Sequence, residues 1–117
     1  MGTRIYDEMM AYYDEHLDEE SKALQHKVWD PTPWVVNVNT GSLSEDRSFE
    51  MMDWCRNNLG DESWPIHGRP GVWRRGGATI HGWTYFGFVS EKSMSEFMFE
   101  FPDHCTLSAP TQQDQPE

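Results

Sequence analysis

The chain has 117 residues, with 20 acidic against 9 basic side chains and a formal charge of −11. That length suits one domain with an appended element. The charge disfavours bulk binding to nucleic-acid phosphates or to an anionic membrane, and favours a basic protein partner.

Residues 1–30 read as one acidic amphipathic helix. Tyr6, Met10, Tyr13, Leu17, Leu24 and Val28 recur mostly at three-to-four spacing, with Glu20 interrupting the row. Asp7, Asp14 and Asp18, with Glu8, Glu15 and Glu19, form a separate acidic face, and the segment carries a net charge of −5. Such a face could imitate the spaced phosphates of DNA, or simply be solvated. Asp30-Pro31-Thr32-Pro33 stops the helix and forms a stiff linker. Trp34 to Thr40 is β-rich and predicts a first strand, broken at Gly41. Ser42 and Glu45 make a capping box for a helix from Leu43 to Leu59 that buries Phe49, Met52, Cys55 and Leu59 and ends at Gly60. Beyond a loop from Asp61 to Arg69, the strand Gly71 to Arg75 pairs with Ala78 onward through a Gly76-Gly77 turn. An aromatic strand, Trp83 to Val89, leads to Ser90, a good N-cap, and to a helix with Met94, Phe97 and Met98 on one face. The alternating Phe99 and Phe101 predict a closing strand, ended by Pro102, and residues 103–117 form a polar tail.

The order, a helix and then β-α-β-β-α-β, predicts an α+β fold. It is a ferredoxin-like βαββαβ sandwich over residues 34–102, preceded by the amphipathic helix of residues 1–30. Along the third strand Phe86 and Phe88 point to one face, Trp83 and Tyr85 to the other. The sandwich's two helices cover one face only. The second, also aromatic, face needs a cover: the N-terminal helix, a second copy or a partner. With six Trp, six Phe and four Tyr, large rings dominate the buried area.

Reactive chemistry finds little footing. His16, His26, His67, His81 and His104 are scattered with no ligand spacing, so no metal or other cofactor is expected. Cys55 reads as a small core residue; whether it pairs with Cys105 stays open. Asp103-His104-Cys105 are sequence neighbours that nothing holds in a catalytic geometry, and no phosphate-binding or nucleophile-elbow motif occurs. No enzyme is expected. No apolar run has the length of a signal peptide or a bilayer span, so the expected location is a cell's cytoplasm, with a virion as the other possibility.

One stretch reverses the charge. Between Glu62 and Glu91 there is no acid, while Arg69, Arg74 and Arg75 lie among Trp64, Trp73, Trp83 and Tyr85. Thr84-Tyr85-Phe86-Gly87-Phe88-Val89 resembles the third strand of an RNA-recognition motif, and Val36-Asn37-Val38-Asn39 its first. Thr84, Tyr85, Glu91 and Asn37 stand where that motif has its basic, glycine and aromatic residues, which removes stacking and phosphate contacts and disfavours RNA binding. Trp54-Cys55-Arg56-Asn57-Asn58-Leu59-Gly60, taken with Phe86 to Phe101, resembles small proteins of tailed bacteriophages over about residues 50–101. Leu59 replaces a Phe there, and Glu100 a basic residue. That resemblance implies a phage origin more than a mechanism. The expected function is therefore non-enzymatic binding of a protein partner, inhibiting or redirecting a host factor or engaging another phage protein, with a head or tail accessory subunit as the alternative and a homo-oligomer as a further option. Expected contact residues are Asp7, Asp14, Glu15 and Asp18 on the helix, and Trp73, Arg74, Arg75, Trp83 and Tyr85 on the sheet.

Overall fold

The computed structural model describes residues 2–41, 47–78 and 82–107. Where one N-terminal helix was predicted there are two, α1 (Arg4–His16) and α2 (Glu19–Trp29). Asp18 explains the break. Its carboxylate accepts the Ser21 N–H at 2.8 Å, so a residue expected within a continuous face starts a new helix. Then come β1 (Trp34–Asn39), α3 (Ser48–Asn58), a 3-10 turn at Pro65–His67, β2 (Trp73–Ala78), β3 (Trp83–Phe88), α4 (Glu91–Glu100) and β4 (Cys105–Thr106). The strands form one antiparallel sheet in the order β2-β3-β1-β4, which with its helices makes the fold α+β.

Three local expectations change. Gly76-Gly77 does not turn the chain: both residues lie inside β2, where the register against β3 shifts between Arg75 and Ala78. A glycine pair accommodates such a bulge as readily as a turn. Phe99 and Phe101 are not a strand either. Ser90 caps α4 as expected, accepting the Ser93 N–H, and the helix runs on to Glu100 because Met94, Phe97 and Phe101 bury against the sheet at helical spacing. The last strand therefore lies beyond Pro102, where Cys105 pairs with Val38 and Thr106 with Asn37. In α3 the buried positions are Ser48, Met51 and Cys55, while Phe49 faces outward at 73% exposure. The Ser42–Glu45 capping box, His81 and residues 108–117 lie outside the described residues.

Alternation along the strands divides the interior in two. On one face Val36, Val38, Trp73, Phe86 and Phe88 meet Met51, Cys55, Met94, Phe97 and Phe101 of the α3 and α4 segments. Phe97 is the hub: its ring centroid lies 5.0 Å from Phe86, 5.1 Å from Phe88 and Phe101, and 5.9 Å from Trp54. On the other face Ile5, Met9, Met10, Val28 and Trp29 of α1 and α2 bury against Val35, with Tyr85 packed alongside. Helices thus cover both faces, and the N-terminal segment is the cover that the second face needed. Trp29 reaches the sheet because two glycines leave room. A Cβ at Gly76 would lie 3.0 Å from its ring, and one at Gly87 would lie 3.2 Å from it and 2.6 Å from the Thr32 carbonyl.

Non-strand segments line the edge strand β2 and the part of β1 that the short β4 leaves unpaired. Beside β2, the Ser63 N–H donates to the Trp73 carbonyl at 2.7 Å and the Val72 N–H to the Asp61 carbonyl at 2.9 Å. Beside β1, the Thr3 hydroxyl donates to the Val35 carbonyl at 2.6 Å and accepts the Val35 N–H at 3.0 Å. The same hydroxyl oxygen caps α1 by accepting the Tyr6 N–H.

Candidate protein-binding surface

The acidic residues of α1 and α2 are largely engaged within the chain. Arg4 pairs with Glu8 and Lys22 with Glu19, each at 2.9 Å. Asp14 lies 3.1 Å from His26 Nε2, and Glu15 sits 4.0 Å from His16. Asp18 serves as the N-cap of α2, and the Ser21 N–H holds its carboxyl below the usual carboxylate range. Among the described residues, Asp7, Asp18 and Glu20 carry no ion pair. The helix break at Leu17 and Asp18 also interrupts the single row of acids that a continuous helix would present.

A clasp joins α1 to the end of α2. The His26 ring meets Asp14 through Nε2 and Asp30 through Nδ1, and Asp30 also accepts the Tyr6 hydroxyl proton. The Asp14 carboxylate, with Asp30 second, raises the His26 pKa above its usual value against a smaller opposing effect of burial. A histidine with a raised folded-state pKa stabilises most below the unfolded value near 6.5, and that stabilisation disappears as pH rises through the folded pKa. The difference in melting temperature between wild type and His26→Gln is therefore expected to be larger at pH 5.5 to 6 than at pH 8 to 9. Thermal melts followed by circular dichroism check this; a difference independent of pH contradicts it.

The sheet residues expected to meet a partner are mostly committed to the interior. Trp73 is fully buried, stacks on Phe86 at 6.3 Å, and donates its indole N–H to the Gly60 carbonyl at 2.9 Å, while the Arg56 guanidinium lies 5.9 Å from its ring. Arg74 is half-buried over Trp29, 5.4 Å from the ring centroid, and burial lowers its pKa against the opposing pull of Glu62. Arg75 is partly buried, and its backbone N–H donates to Glu62, whose carboxyl is pushed up by burial. Trp83 is half-buried at the start of β3. Tyr85 is covered by the N-terminal layer, with Trp29 edge-on to its ring at 6.3 Å, and burial raises its hydroxyl pKa. Alternation assigned Tyr85 to its face correctly, but that face is closed. Trp73 packs within one core and Tyr85 against the other.

Sequence reasoning missed the outer side of α3 and α4. An open groove of about 660 Å³ lies there, lined by Trp54 and Asn58 from α3 and by Lys92, Ser95, Glu96, Phe99 and Glu100 from α4. Phe99 is 86% exposed. Its position was hidden by the strand-like Phe-x-Phe spacing. Two residues along a helix turn about 200°, which sends Phe99 outward when Phe97 points in. Trp54 is held edge-on against Phe97 and Phe101, each at 5.9 Å, so the groove floor is rigid.

Reactive groups are muted. Cys55 and Cys105 are free thiols; burial pushes the first far up and the second to about 12, so neither is a thiolate at neutral pH. His104 Nδ1 lies 3.1 Å from the Asn39 carbonyl and Nε2 lies 3.2 Å from Arg47, which ties the ring to the end of β1 and the start of α3. Among the described residues, no group of three or more His, Cys, Asp or Glu side chains is placed to hold a metal ion, and no helix is long and apolar enough to cross a membrane. No protein-family model, no curated protein and no solved structure matches the chain.

Proposed function

We propose that this chain is a non-enzymatic protein that works by binding another protein, and that the contact is made by α3 and α4. In keeping with the tailed-phage resemblance, the partner is a host factor or a fellow phage protein. The architecture we assign is the ferredoxin-like sandwich. Support comes from the order β2-β3-β1-β4, with β3 antiparallel to both β1 and β2, and from the helices α3 and α4 lying at the two crossovers of a split βαβ pattern.

Phe99 carries the reading. Each sheet face carries a buried core cluster packed by helices, yet this ring stands 86% exposed and lines a groove with Trp54. A lone exposed apolar residue is ordinary on a protein surface. An aromatic pair on two braced helices is the kind of anchor on which interfaces concentrate their energy. Imitation of DNA phosphates draws less support, because Asp14, Asp18 and Glu19 are used inside the chain. RNA stacking on the sheet likewise draws little, because Tyr85 lies beneath α1 and α2.

Phe99→Ala separates binding from folding. The site is exposed and alanine is the better helix former, so the melting temperature is expected to hold or rise slightly. Full burial of a phenylalanine against a partner contributes about 1.5–3 kcal/mol, so the variant's affinity is expected to drop by roughly one to two orders of magnitude. Affinity capture from host lysate with wild type and Phe99→Ala side by side checks this. Capture of the same proteins at the same yield by both would refute the assignment of the surface.

A further inference from the structure

We propose that the α3–α4 groove receives a positively charged amphipathic helix of a different protein. Its apolar side chain would sit between the rings of Phe99 and Trp54, and a Lys or Arg would reach Glu100. This inference rests on the binding role proposed above and adds the chemistry of the partner.

The groove's own charges set that chemistry. Among the described residues Lys92 is the one cation in the lining, and its ammonium is already paired with Glu96 at 2.9 Å. Glu100 lines the same groove and, among the described residues, has no ion pair. The lining is therefore net negative around an apolar floor, in a chain of formal charge −11. A second copy fits poorly. Two chains that each carry a formal charge of −11 repel one another. Nucleic acid and an anionic bilayer meet the same repulsion. A basic segment is attracted at long range and gains apolar contact at short range. The lining residues all come from two helices, the setting in which an amphipathic helix lays its apolar stripe into a groove. The floor is prepared for it: Trp54 is wedged against Phe97 and Phe101, so little side-chain freedom is lost on binding.

A synthetic helix of Leu and Lys, roughly 18 residues or five turns long, is the probe, with a Leu and Glu counterpart as control. The full chain is titrated with each and followed by the Trp54 indole N–H and Asn58 side-chain amide resonances. The Leu/Lys peptide is expected to shift both signals and to bind less tightly as salt is raised. Phe99→Ala is expected to weaken it at least about tenfold and Glu100→Lys several-fold, while Glu20→Lys on α2 leaves it unchanged. Three results overturn the inference: equal binding of the Leu/Glu peptide, no effect of Phe99→Ala, or a loss in Glu20→Lys as large as in Glu100→Lys. If the Leu/Lys peptide fails to bind while lysate capture yields a Phe99-dependent partner, the basic-helix assignment falls and the binding role stands. If the peptide behaves as expected and no Phe99-dependent partner exists, the binding role falls instead.

Discussion

Trp29→Ala is expected to destabilise the protein by about 3–5 kcal/mol, the usual cost of removing a buried tryptophan. The residue closes α2 and is 5% exposed. Its ring occupies the space left by Gly76 and Gly87, meets Tyr85 edge-on at 6.3 Å, and lies beneath the Arg74 guanidinium at 5.4 Å. An alanine there leaves a cavity that the backbone cannot close and strands a half-buried cation. Against a total stability of roughly 5–15 kcal/mol for a domain of this size, the loss is large. It should also be local: hydrogen exchange is expected to accelerate first in α1 and α2, whose second core Trp29 anchors, and later in β3 and α4. Urea denaturation measures the first effect. Leu24→Ala, at an exposed position on the same helix, serves as control and is expected within about 0.5 kcal/mol of wild type. If Trp29→Ala unfolds with the same midpoint as that control, the N-terminal layer is not integral to the fold.

Phe97→Ala is the matching test on the other side of the sheet, again with an expected cost of about 3–5 kcal/mol. Phe97 is fully buried and in ring contact with Trp54, Phe86, Phe88 and Phe101. Its loss removes the wedge behind Trp54, so the groove should loosen as well as the core. In denaturant melts the variant is expected to shift its midpoint strongly while the Trp54 indole resonance broadens. Phe97→Leu, which keeps much of the volume, should recover most of the stability. Equal damage from Leu and Ala would show that ring contacts rather than filled volume dominate.

Much of the fold was legible because periodicity reports which side chains share a face. Phe86 and Phe88 could be assigned to one face and Tyr85 to the other from alternation alone, and Ser90 marked a helix start. The failures occurred where one residue pattern serves two geometries. A glycine pair suits a tight turn and a bulge equally, and the side chain of Trp29, far away in sequence, made the second the better use. Phe-x-Phe alternates like a strand, but the preceding Met94 and Phe97 had already committed the chain to helical burial. Asp18 looked like one more surface acid because capping depends on the backbone turning at that point, which spacing does not encode. The candidate surface was hidden for the same reason as the end of α4. Once residue 99 is read as helical its ring must face solvent, and the groove beside Trp54 follows.

The bonds of Thr3 to Val35 and of Ser63 to Trp73 occupy backbone groups that would otherwise be open to a neighbouring chain. Exposed rims of this kind are where sheets add strands from other molecules and begin to aggregate. Thr3→Val would uncover the backbone of Val35 and remove the cap of α1 in one step, so a single hydroxyl both starts a helix and guards a margin of the sheet.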